Sequence, residues 1–297
     1  MTVLFECVHQ GERHFGCAAP VAGAPLHLYP LGDEDLRARL LAAGISADLA
    51  VDGDRAAALV AALTEGRERR TVPAAERDTL TFRPPLLPDS LGDAVVSGFM
   101  QTHNVKADET TQSQPNWFFK GLGETLKVPG EPLTVPPGAV AVCEEAEVVL
   151  VYVTDERGVP RYVGYTFGND LTDIGRFKRH NGHLSYAKLC DSGVAPWLFL
   201  DAPPESVTGR VRVERDGAQA WEGTFTTGTK ALYYGLPDMM SELFSYTPLR
   251  HPGRVHYVYI GADRSSFHAG FRMADRDRVE IGFDTHEVTL TNTVTWV

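Results

Sequence analysis

Cysteine is scarce. Cys7, Cys17, Cys143 and Cys190 are the only four in 297 residues, and no two of them form a Cys-x-x-Cys pair. That excludes a zinc-ribbon or thioredoxin-type motif, and a disulfide framework is not expected in a chain this long. Free thiols in a reducing compartment are the expectation. Long apolar runs are missing as well. Nothing approaches the roughly 20 consecutive apolar residues of a membrane helix. The opening MTVLFECVHQGER has neither a basic stretch nor an apolar one of signal-peptide length. A cytoplasmic protein with no membrane partner is therefore expected. Positive charge is in deficit, with 28 Lys and Arg against 39 Asp and Glu and a net charge of −11. Phosphate binding needs clustered Lys and Arg, so no nucleic-acid partner is expected. The short basic cluster Arg67, Arg69 and Arg70 is interleaved with Glu65 and Glu68 and reads as a solvated helix end.

Present instead is an ordinary globular balance, 43% apolar and 23% charged, enough for one large core or for a large domain with a small one. The spacing predicts a short strand at Val3–Val8 and two amphipathic helices, Glu34–Ala43 and Asp54–Leu63, with Asp54 as cap of the second. Phe82-Arg-Pro-Pro-Leu-Leu-Pro88 resists helix and central strand alike and reads as a linker. The domain boundary is placed there, with residues 1–88 before it and residues 89–297 after. Beyond it, β-branched and apolar runs predict strands at Val148–Val153, Arg161–Phe167, Val255–Ile260, Val279–Phe283 and Glu287–Val294. Asp216-Gly217 predicts a hairpin turn between Val207–Glu214 and Ala218–Phe225. Pro237–Tyr246 predicts a helix.

The chemistry concentrates in Cys143-Glu-Glu-Ala-Glu-Val-Val-Leu-Val-Tyr-Val153. Glu145 and Glu147 open an apolar strand, and side chains at i and i+2 share a face. Glu144 is expected on the other face. Two carboxylates held together repel unless a cation lies between them, and Mg²⁺ favours such oxygen ligands. On spacing alone a solvent-facing strand end is the more ordinary reading. Asp170, after Gly168-Asn169 at the end of the next strand, offers a third carboxylate; the bland reading there is a turn or cap.

These residues resemble a known family. Pro115-Asn-Trp-Phe-Phe-Lys-Gly121, Pro129-Gly-Glu-Pro132, Glu145-x-Glu147, Gly164-Tyr165, Asn169-Asp170-x-Thr172, Lys188 within Tyr186–Asp191, and the closing Val279–Gly282 and Leu290–Val294 are similar, in order and spacing, to the fumarylacetoacetate hydrolase superfamily. The resemblance runs from about Leu91 to the C-terminus and is greatest to the subgroup related to sugar-acid dehydratases such as arabinonate dehydratase. It implies an α+β, mainly β fold: a mixed β-roll core with a small N-terminal α/β domain, usually as a homodimer. It implies Mg²⁺ (or Mn²⁺) held by Glu145, Glu147 and Asp170, and a small 2-oxo acid as substrate, activated through an enolate. Lys188 matches the family lysine; near a cation and partly buried, it would have a depressed pKa suited to a base. Lys120 is expected to position substrate or hold the backbone. Hydrolytic relatives carry a histidine and a glutamate on a lid near His103, for which Asp108 and Glu109 are candidate partners. Many relatives place a substrate-binding Thr where this chain has Gly261-Ala262, so Arg264, Ser265 or Ser266 is expected to stand in for it.

Three readings follow. The favoured one is a metal-dependent lyase that dehydrates a 2-keto-3-deoxy acid or a related compound. The second is a C–C hydrolase of an acylpyruvate-like diketo acid. The third is a non-catalytic binding protein that retains the fold; an intact carboxylate set argues against it.

Overall fold

The apolar opening of the chain makes a strand, and further strands build out from it. The computed structural model describes residues 2–18, 23–45, 49, 53–109 and 111–297. The expected first strand is β1 (Val3–His9). It pairs with β2 (Glu12–Gly16), which leads to β3 (Leu26–Pro30) and, past helices α1 (Leu36–Ala42) and α2 (Gly53–Thr64), to β4 (Arg70–Val72). Asp35 caps α1, its carboxylate accepting from Arg37 N–H at 2.9 Å. Asp54 is not the cap of α2: the helix already begins at Gly53, and Asp54 lies in its first turn, where a negative charge suits the helix dipole. The basic cluster is not simply solvated either. Arg67 pairs with Glu34 and lies 5.4 Å over the Phe15 ring, and Arg70 starts β4. The proline-rich stretch is packed: β5 (Thr81–Phe82) pairs with β1, Leu86 N–H donates to the buried Glu6 carboxylate at 2.9 Å, and the Tyr257 hydroxyl donates to the Pro85 carbonyl at 2.8 Å. All four cysteines are free, and burial pushes the Cys7 and Cys17 thiols up to about 12.

The remaining strands are β6 (Ala94–Met100), β7 (Asn116–Leu122), β8 (Leu126–Lys127), β9 (Pro132–Val135), β10 (Ala146–Thr154), β11 (Pro160–Asp170), β12 (Ser192–Val194), β13 (Leu198–Phe199), β14 (Val207–Arg215), β15 (Ala218–Thr227), β16 (Val255–Tyr259), β17 (Arg278–Phe283) and β18 (Val288–Trp296). Between them lie α3 (Ile174–Arg179), α4 (Leu184–Ala187) and α5 (Leu236–Leu243). The last is shorter than the expected 237–246. One sheet runs β4-β3-β2-β1-β13-β11-β10-β16-β6-β7, with β16 and β6 parallel; the other runs β15-β14-β17-β18-β9, with β18 and β9 parallel. The expected α+β, mainly β architecture with mixed sheets is therefore what the chain adopts. The β14–β15 turn has Asp216 and Gly217 at φ 53° and 78°, as its sequence requires.

Strand β10 explains why its sequence is apolar almost throughout. Its two faces serve two cores. Val148, Leu150 and Tyr152 pack toward the second sheet, with Val211, Phe283 and Leu290. Val149, Val151 and Val153 pack toward the helices, with Leu36, Leu40, Leu59 and Leu63. Both of its edges are paired as well, to β11 and β16. No helix among the described residues is long and apolar enough to cross a membrane.

Candidate metal centre and adjoining cavities

The antiparallel register of β10 and β11 sets Ala146 opposite Asn169 and Glu147 opposite Gly168. The pairing extends past both strand ends: Asp170 N–H donates to the Glu145 carbonyl at 2.9 Å, and Cys143 and Thr172 exchange backbone bonds at 2.9 Å each way. The glutamates at i and i+2 thereby meet the aspartate that ends the next strand. Carboxylate oxygens of Glu145, Glu147 and Asp170 all lie within 4.8 Å of one another, and all three residues are buried.

Such a cluster needs positive charge. Lys188, at the C-terminus of α4 and 1% exposed, donates to Glu145 at 2.7 Å, to Asp170, and to the Thr172 hydroxyl at 2.8 Å. Its ammonium also lies 4.5 Å over the Phe118 ring. Burial works against its proton, but Asp170, Glu145 and Glu147 outweigh it and hold the pKa above the ordinary lysine value. Glu145 is held well below the usual carboxylate range: burial raises it, and Lys188 and Lys106 more than reverse this. Lys106 reaches it from the turn Asn104–Lys106, at 3.3 Å. Glu147 goes the other way. Burial, then Asp170 and Glu145, push its carboxyl well above the ordinary value, and the donor aimed at it is Gly261 N–H at 2.7 Å. An all-oxygen set with one member short of positive charge fits a hard divalent cation.

The other expected site residues fall in distinct places. Lys120 is fully buried, with its ammonium 2.7 Å from Asp170 Oδ1 and donating to the carbonyls of Leu171 at 2.7 Å and Lys188 at 3.1 Å. It ties strand β7 to the backbone behind the carboxylates. His103 is buried and accepts from Val105 N–H at 3.3 Å through Nδ1, capping the turn that carries Lys106. Burial lowers its pKa. A cavity of about 230 Å³ opens on Glu145, Glu147, Lys106, Gly261 and Ala262. A second cavity of about 520 Å³ is lined by Arg264 and Ser265. Ser266 donates to Glu144 through its backbone N–H at 2.7 Å and its hydroxyl at 2.6 Å. Burial raises the Glu144 carboxyl to about 7. This glutamate does turn away from its neighbour Glu145, into the wall of the second cavity. Lys106 and His268 line both cavities. Neither stands out in the sequence, being single residues in loops; the nearness of Lys106 to His103 is its one signal.

The profile of the family described as Fumarylacetoacetate (FAA) hydrolase C-terminal matches residues 93–295. No curated protein matches the chain by sequence. Among solved structures, 2-keto-3-deoxy-D-arabinonate dehydratase in its apo form is 17% identical with a TM-score of 0.71, each chain covered over 99% of its length. The same dehydratase complexed with magnesium and 2,5-dioxopentanoate gives 18% identity and a TM-score of 0.68, again with 99% of each chain covered. A 5-carboxymethyl-2-hydroxymuconate delta-isomerase from Mycobacterium smegmatis is 18% identical with a TM-score of 0.60, both chains covered in full at 100%. These identities show a common fold. The profile match takes in more than half of the chain, including all three converging carboxylates, and the chain therefore belongs to the fumarylacetoacetate hydrolase family.

Proposed function

We propose that this chain is a divalent-metal-dependent enzyme that dehydrates a 2-keto-3-deoxy acid or a closely related 2-oxo acid. The observation that carries the reading is the buried convergence of Glu145, Glu147 and Asp170, with Lys188 hydrogen-bonded to two of them. The fold shared with a dehydratase solved with magnesium and 2,5-dioxopentanoate supports it. When bound, Mg²⁺ or Mn²⁺ supplies Lewis-acid stabilisation for the negative charge that develops on the keto oxygen of the substrate.

The chain's own residues do the rest. Glu145, Glu147 and Asp170 would hold the cation, and the two glutamates line the 230 Å³ cavity. Lys188 moves the proton. Held by Glu145, Asp170 and Thr172, it would take the proton beside the ketone and return it to the departing hydroxyl. Lys120 holds the Leu171 and Lys188 carbonyls, and so fixes where Lys188 stands. His103 supports the turn that presents Lys106. The site residues all follow residue 88, so residues 1–88 are proposed as a small domain without catalytic groups. A homodimer belongs to the same reading, and light scattering measures it.

The test is incubation of the Mg²⁺-loaded protein with a panel of 2-oxo acids, with products read by mass. Loss of water from a 2-keto-3-deoxy acid is the expected outcome. Cleavage with gain of water, or loss of CO₂, would replace dehydration with another reaction of the same site.

A further inference from the structure

Resting on the 2-oxo-acid reading above, we propose that the 520 Å³ cavity beside the metal centre receives the distal end of the substrate, and that this end is an aromatic or other bulky apolar group. The two cavities meet at Lys106 and His268, which line both. These two side chains form a shared wall, and the ligand would pass them. The metal cavity alone, at about 230 Å³, has room for a small 2-oxo acid but not for a bulky distal group as well, since pockets for larger ligands run to roughly 300–1,000 Å³. The second cavity supplies the missing space.

Its walls select what enters. The floor is apolar and comes from the β14–β15 hairpin: Val211, Trp221 and Phe225. Val211 and Phe225 are core residues, each 3% exposed, and Phe225 is braced edge-on against Phe283 at 5.2 Å. Trp221 is half-buried, with its ring 6.2 Å from Phe271. The floor is thus preformed. The charges around it oppose one another. Lys106 is engaged by Glu145 at 3.3 Å, Glu222 by Arg212 at 2.7 Å, Glu144 by Ser266 at 2.6 Å and Asp263 by Thr226 N–H at 3.0 Å, with Arg264 adding a positive charge to the lining. Neither sign of distal charge is favoured, while a flat apolar group meets matched surface.

Calorimetric titration of the Mg²⁺-loaded full chain with two probes, pyruvate and benzylpyruvate, tests this. Benzylpyruvate is expected to bind at least about ten-fold more tightly, the fold-change that burying one ring confers. Trp221→Ala removes that advantage and leaves pyruvate unchanged. Ala269→Trp fills the cavity from its exposed rim without deleting a core side chain, and it gives the same selective loss, so the outcome does not hang on one variant's folding. Equal affinities in the wild type, or an advantage that survives both variants, overturn the distal pocket and leave the 2-oxo-acid reading standing. If neither probe binds the loaded wild type, the 2-oxo-acid reading fails and the pocket fails with it.

Discussion

Lys188 and a metal ion seek the same oxygens, and this competition organises the chemistry at the scale of single residues. The ammonium sits between Glu145 and Asp170, where the cluster demands positive charge. Lys188→Met keeps the length of the side chain and removes that charge. Its kcat is expected to fall about 10²–10⁴-fold, the usual share of a proton-transfer group, while metal content measured by mass spectrometry stays at the wild-type level. Wild-type kinetics across pH would remove Lys188 from the mechanism. Glu147→Ala is expected to do the reverse and lose the metal while the protein stays folded; unchanged metal content would count against the assignment. The three carboxylates were legible beforehand because strand alternation and motif order both point to them. Lys106 and His268 were not, since what makes them part of the site is the path of two loops distant in sequence. The field of three carboxylates on Lys188 is likewise a product of the fold, since β10, β11 and α4 bring those groups together.

Elements announced by their own composition were read correctly, and those created by their partners were not. β10 and β11 carry runs of Val, Tyr and Phe long enough to declare themselves, and the Asp-Gly turn declares the β14–β15 hairpin. β2, β3, β6, β7, β12 and β13 are short or mixed in character, and pairing makes them strands. The two-residue β13 shows what this means structurally. It joins β1 on one side, through Val3 and Phe199, to β11 on the other, through Tyr165 and Phe199. It thus stitches the N-terminal strands to the sheet that carries the site. The stitch is close, and a Cβ on Gly164 would run into the Phe199 carbonyl. Gly164→Ala is therefore expected to cost about 1–3 kcal/mol, as overpacking does, measurable as a lower urea midpoint. An unchanged midpoint would show that the sheet yields there without penalty.

At the scale of the whole molecule, pH acts through groups that the fold has taken from water. His256 lies in β16 against Phe244, ring centroids 5.1 Å apart, and burial lowers its pKa from 6.5 to about 3. A depressed histidine contributes its full stability above about 6.5 and loses it as the pH falls from there through about 3, because the unfolded chain takes up the proton first. His256→Asn, which cannot titrate, is expected to escape a loss of about 3 kcal/mol between pH 7 and pH 4, seen as a shallower fall of its melting temperature with acid. A parallel fall in both proteins would assign the acid sensitivity elsewhere. Glu147 carries the opposite perturbation, and its effect reaches the solvent. A carboxyl whose pKa burial and its acidic neighbours push above the ordinary range must give up any proton it carries before it can bind a cation. Charging the site with magnesium should then acidify the medium, and the heat of the event should vary with the ionisation enthalpy of the buffer. A titration whose heat is the same in phosphate and in Tris would mean that Glu147 enters the reaction already ionised.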